Sequence, residues 1–171
     1  MKKSALIFFV LLITVSIATS SFIYRQNIGQ TAPDISVVSK SGTTIRLSSL
    51  RGKYVLVDFW ASHCGPCRKE NPNLLSVYKK YKNTQFKDGK GFEVFQVSID
   101  KSRSAWISAI QKDGLTFAFQ GLDSLGYDSP SAKKYGIHSI PSNFLIDPKG
   151  KIIKKDLKGN FLSSYLEDLT H

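Results

Sequence analysis

The chain has 171 residues, of which 42% are hydrophobic and 22% charged, a size and composition that fit one globular domain of about 100–200 residues with a short appendage. Its only two cysteines lie three positions apart, at Cys64 and Cys67, so a bridge between them closes too small a loop to act as a structural staple. The formal net charge is +11, but the basic residues fall in short pairs such as Lys79-Lys80, Lys133-Lys134 and Lys154-Lys155, the pattern of solvated faces and hairpin ends, and no nucleic-acid partner is expected.

The amino terminus opens with Met1-Lys2-Lys3, followed by an apolar run from Ala5 to Ile23 that Arg25 stops. As a helix, such a run covers roughly 28 Å, close to the hydrocarbon core of about 30 Å. A cleaved signal peptide and an uncleaved anchor both fit residues 1–25. Ser16-Ile17-Ala18 has the small-x-small pattern of a cleavage site, yet apolar residues resume at Phe22-Ile23, which favours the anchor. Either way Lys2 and Lys3 stay in the cytoplasm and the remainder is exported, to the periplasm or the outer face of the cell membrane, where disulfides persist. Residues 26–33 read as a short polar tether before a domain at 34–171.

Within that domain, Ile35 to Ser39 and Thr43 to Leu47 read as a hairpin through Lys40-Ser41-Gly42, and Ser48 to Lys53 as a turn or a single helical turn. Tyr54 to Trp60 (Y-V-L-V-D-F-W) is almost continuously apolar, the signature of a strand buried on both faces, and is the candidate central strand. Pro66 sits where a helix begins, and Arg68 to Lys82 carries Leu74, Leu75, Val77, Tyr78 and Tyr81 at helical spacing. A second buried strand spans Phe92 to Ile99, and a helix follows from Ser102 to Lys112. Thr116 to Gln120 reads as a short strand, Ser131 to Tyr135 as a short helix, Asn143 to Asp147 and Lys151 to Asp156 as a hairpin, and Phe161 to Leu169 as a closing amphipathic helix. Strands alternating with helices predict an α/β fold with a central mixed β-sheet flanked by helices and an N-terminal hairpin extension.

This order places Cys64 in the loop after the candidate central strand and Cys67 in the first turn of the next helix. Unpaired N–H groups and the helix dipole favour a thiolate there, so Cys64 is the expected nucleophile. The two-residue spacing lets Cys67 attack a mixed disulfide at Cys64 and release the substrate. Gly65 and Pro66 keep the turn tight. A zinc site wants four ligands, and two cysteines with three scattered histidines do not supply them, so no metal is expected.

The stretch W-A-S-H-C-G-P-C at Trp60 to Cys67, followed by R-K-E, resembles the active site of thioredoxin-fold proteins, specifically the membrane-anchored TlpA/ResA-like thiol–disulfide oxidoreductases. A-P-D at Ala32 to Asp34, I-P-S at Ile140 to Ser142 and F-L-I-D-P-K-G at Phe144 to Gly150 extend the likeness over residues 30 to 169. The resemblance implies a thioredoxin-like fold, a redox-active disulfide in place of any cofactor, protein thiol and disulfide substrates, and a membrane thiol carrier as electron donor. It implies a cis bond before Pro141, with Ile140 offering backbone groups to an extended substrate segment; Ser142 and Asn143 stand where Thr is commoner. Asp58 interrupts the apolar strand where thioredoxins carry a buried acid and TlpA-like relatives more often carry Asn; a carboxyl with a raised pKa is expected to take the proton of Cys67, the alternative being a merely hydrogen-bonded core acid. Glu70, one helical turn beyond Cys67, is where ResA-like proteins place a glutamate that helps set cysteine pKa values; the alternative is a solvated acid in the first turn.

His63 is a departure, since the family usually has Trp there. It either aids the Cys64 thiolate as a cation or serves only in the docking surface, where Gly65, Pro66, Ile140 and Pro141 are also expected. Trp60 is grouped with these residues as packing beneath the turn. The Gly-Pro dipeptide is the one in thioredoxin, at about −270 mV, which favours reduction over oxidation. Two rivals remain: a peroxiredoxin-like thiol peroxidase, although Ala61-Ser62-His63 lacks the Thr-x-x-Cys setting, and a membrane-tethered copper-binding assembly factor.

Overall fold

The computed structural model describes residues 28–170, and the run from Ala5 to Ile23 lies outside them. Among the described residues no helix is long and apolar enough to cross a membrane. In chain order the elements are β1 (Ser36–Ser39), β2 (Thr44–Arg46), β3 (Tyr54–Trp60), α1 (Gly65–Tyr81), β4 (Phe92–Ser98), α2 (Arg103–Lys112), β5 (Phe119–Leu122), α3 (Pro130–Tyr135), β6 (Ser142–Ile146), β7 (Ile152–Lys155) and α4 (Asn160–Asp168), with single 3-10 turns at Leu47–Leu50 and Gly126–Asp128.

The strands form one mixed sheet in the order β2-β1-β5-β4-β3-β6-β7. β4 runs parallel to β3 and to β5, and β6 pairs antiparallel with β3. Every residue of β3 and β4 is buried. Because successive side chains point to opposite faces, both faces of the sheet are covered here. Phe59 anchors the packing, its ring centroid 5.3 Å from that of Tyr135 and 6.4 Å from that of Phe144.

Three expectations are corrected. The middle strand is β4, not β3, because the hairpin joins the sheet on the β5 side, with Val38 opposite Leu122 and Ser39 opposite Gly121. The fifth strand is Phe119–Leu122 instead of Thr116 to Gln120. Leu115 and Phe117 are buried in the core but precede the paired segment, and pairing runs on through Gly121, where a Cβ would collide with Val37. A glycine that weakens a strand on propensity here permits the close approach of β1.

The third correction concerns the tether. Its described part is hydrogen-bonded to the edge of β7: Gly29 N–H donates to Ile152 O at 2.7 Å, Ile152 N–H to Gln30 O at 2.9 Å and Ala32 N–H to Gly150 O at 2.9 Å, with Thr31 bridging Lys151. This contact covers an edge that would otherwise present unpaired backbone groups.

Candidate active site

β3 ends at Trp60 and the chain turns through Ala61-Ser62-His63 to Cys64, the N-cap of α1. The Cys64 sulfur accepts a hydrogen bond from Cys67 N–H at 3.2 Å. Gly65 and Pro66 open the helix, and proline is well suited there because the first N–H groups lack intrahelical partners anyway. Cys64 and Cys67 form a disulfide. Cys64 is 8% exposed and Cys67 2%, while Gly65 and Pro66 are exposed beside them.

The turn is fastened from outside its own sequence. Asp100, just past β4 and 3% exposed, accepts hydrogen bonds from Ser62 N–H at 2.8 Å, Ser62 Oγ at 2.7 Å and Ser98 Oγ at 2.7 Å. His63 Nδ1 lies 3.5 Å from Asp100 Oδ1, with the imidazole 74% exposed. His63 therefore faces the carboxylate and solvent together. Trp60 is 1% exposed, so it is the floor of the turn and offers no face to a substrate, which removes it from the docking residues.

Asp58 belongs to a buried polar row. The register sets Asn143, Asp58, Gln96 and Gln120 side by side on β6, β3, β4 and β5, and all four are buried. Gln96 Nε2 donates to Asp58 Oδ2 and to Asn71 Oδ1, each at 3.2 Å. Asn71 in turn donates to Asp113 at 3.0 Å, which also holds Arg68 through two hydrogen bonds. Asn71 and Cys67 are buried on the same face of α1, one turn apart, so the carboxyl of Asp58 lies beneath the face that carries Cys67. Burial pushes the Asp58 pKa up to about 6; the Gln96 hydrogen bond opposes this, the negative charge of Glu70 adds to it and Lys158 opposes it.

Glu70 is half-buried, and its Oε1 accepts from Gly159 N–H at 2.8 Å and Asn73 Nδ2 at 2.7 Å. It ties α1 to the start of α4 and is not a freely solvated acid. Ile140 and Pro141, both half-buried, precede β6 across a cis peptide bond. Since Ser142 pairs with Phe59, they stand at the end of the sheet where the active-site turn leaves β3. Asn143 exchanges two hydrogen bonds of 2.8 Å with the backbone of Leu157 and so steadies the approach to α4. The sequence reading missed Ser62, Ser98 and Asp100, whose signal was a Ser-x-Asp ending an apolar strand, and Asn71 and Gln96, which had none. Among the described residues no group of three His, Cys, Asp or Glu is placed to hold a metal ion.

A Cys-Gly-Pro-Cys disulfide capping the helix that follows a buried strand of a mixed sheet defines a thiol–disulfide oxidoreductase of thioredoxin-like fold. Comparison with known proteins agrees: residues 28–155 match the AhpC/TSA family. Thiol-disulfide oxidoreductase ResA of Bacillus thuringiensis subsp. konkukian is 31% identical, over 98% of this chain and 96% of that protein, and ResA of Bacillus subtilis is 31% identical over 82% and 72%. The thioredoxin domain of a thiol-disulfide oxidoreductase from Bacteroides vulgatus superposes with a TM-score of 0.76 at 34% identity, covering 85% of this chain and 99% of that one. The chain belongs to the AhpC/TSA family and, within it, to the ResA-like thiol–disulfide oxidoreductases.

Proposed function

We propose that the protein is an exported reductant, held at the outer face of the cell membrane by residues 1–25, that reduces disulfides of envelope proteins such as the cysteines of apocytochrome c before haem attachment. The observation that carries the exchange chemistry in this reading is the asymmetry of the pair. Cys64 is the more exposed sulfur and caps α1, whereas Cys67 is sunk into the first turn above Asp58. In the reduced protein the Cys64 thiolate, favoured by the helix N-terminus, attacks a client disulfide; a mixed disulfide forms and the first client thiolate leaves. The Cys67 thiol then gives its proton to the Asp58 carboxylate and attacks Cys64 Sγ. The second client thiolate departs and the Cys64–Cys67 disulfide closes.

Glu70, through its charge, adjusts Asp58. Gly65, Pro66, His63, Ile140 and Pro141 line the approach for an extended client segment. Two electrons from a membrane thiol carrier return the pair to the dithiol, so the couple itself is the only redox group the cycle needs. The lysine pair at the amino end, the apolar run after it and the relation to ResA support the location and the direction of electron flow.

Trapping tests the assignment of the two sulfurs. Cys67→Ser accumulates mixed disulfides with client proteins, seen as reductant-sensitive adducts, and Cys64→Ser accumulates none. Adducts with Cys64→Ser alone would reverse the roles.

A further inference from the structure

Beside the disulfide lies a cleft of about 520 Å³. Its near wall is His63, the residue that precedes Cys64, and behind His63 stands Asp100. Its far wall is the loop carrying Leu125 and Tyr127, and Lys101 and Ala105, where β4 leads into α2, complete the rim. Leu125 is 59% and Tyr127 48% exposed, two of the five large hydrophobic side chains left in solvent among the described residues. Paired exposed apolar groups at one cleft mark an interaction site more often than scattered ones do.

The charges at this cleft are unevenly committed. Asp100 is saturated by Ser62, Ser98 and His63. Asp128 is paired with Lys133 at 3.1 Å. Lys101 is exposed and makes no ion pair among the described residues. The apolar cleft therefore carries an uncommitted positive charge on its rim.

We propose that this cleft is a specificity subsite for the client polypeptide, taking a large apolar or aromatic side chain within three residues of the reacting cysteine, with an acidic neighbour directed to Lys101. The inference rests on the thiol-exchange reading, because it is the client sulfur bonded to Cys64 that delivers the chain to this place. At about 3.3–3.6 Å per extended residue, one to three residues carry the client from Cys64 past His63 and over the cleft. Asp100 fixes His63 and Ser62 as the partition between the reacting sulfur and the side-chain pocket. A small disulfide reagent touches only the first compartment; a polypeptide touches both.

The test uses the full-length reduced protein and disulfide-linked peptide dimers bearing Phe-Asp, Ser-Asp or Phe-Lys beside the cysteine, with dithiobis(nitrobenzoate) as the small reagent. The rate read is oxidation of the Cys64–Cys67 dithiol. The Phe-Asp dimer reacts about tenfold faster than the Ser-Asp dimer, the scale on which apolar pockets discriminate. Tyr127→Ser, which opens the pocket, and Ala105→Phe, which fills it, both abolish that advantage while leaving the small reagent unaffected. Both positions are exposed, so the fold tolerates the changes. Lys101→Glu inverts the preference for Phe-Asp over Phe-Lys. Equal rates for the Phe-Asp and Ser-Asp dimers, or an advantage that survives both pocket variants, would overturn the proposal. Loss of reaction with the small reagent in the wild-type protein would instead sink the exchange reading beneath it.

Discussion

Asp58 shows how one residue couples chemistry to stability. Its carboxyl is buried and its pKa is pushed up from 3.8 to about 6, chiefly by desolvation. The folded state therefore binds this proton more tightly than the unfolded chain. The stabilisation is fully present below pH ~4 and is lost as pH rises through about 6, the reverse of a salt-bridged carboxylate. The shift corresponds to roughly 3 kcal/mol. Asp58→Asn keeps the shape without the ionisation, so urea unfolding of the oxidised protein should find the variant more stable by about 2–3 kcal/mol at pH ~8, with the difference vanishing towards pH ~4. A difference independent of pH would show that the buried charge is not the cause. In the proposed cycle the same variant should close the Cys64–Cys67 disulfide from the mixed disulfide more slowly, because the proposed proton acceptor is gone. Asp58 stood out in the sequence because a charge broke an apolar strand. Asp100 did not, since its function depends on contact with Ser62, 38 positions away.

Among the elements, short-range signals carried well. The strand Tyr54–Trp60 and the helix that follows Cys64 were legible because burial, a capping position and Pro66 all act within a few residues. Register was not legible. The row Asn143, Asp58, Gln96 and Gln120 exists only because four strands align, and no single strand records its neighbours' phase. Nor did propensity reveal that the strand at Phe119–Leu122 continues through Gly121. That glycine admits Val37 of β1, and any Cβ there meets it. Gly121→Ala should cost about 1–3 kcal/mol in denaturant unfolding through overpacking between β1 and β5. The cost should shrink sharply in a Val37→Ala background, giving a coupling energy of about 0.5–3 kcal/mol. An undiminished cost in that background would place the penalty elsewhere than in this contact.

For the whole molecule, the sheet brings to one end the parts that the sequence scatters. The turn after β3 carries Cys64, the end of β4 supplies Asp100, and the entry to β6 supplies Ile140 and Pro141. The opposite flank is sealed by residues 29–32 lying along β7, a contact hidden from sequence reading because the segment is polar and short. A molecule built in this way presents one reactive disulfide, with a polar row beneath it and an apolar cleft beside it. Under the proposed function this disulfide works as a reductant. Its most direct test is the reduction potential of the Cys64–Cys67 couple, measured at pH ~7 by equilibration with glutathione or dithiothreitol buffers and alkylation of the free thiols. A reductant should give a value near that of thioredoxin, about −270 mV, and a value near about −120 mV, that of a strong oxidant, would contradict the proposed function.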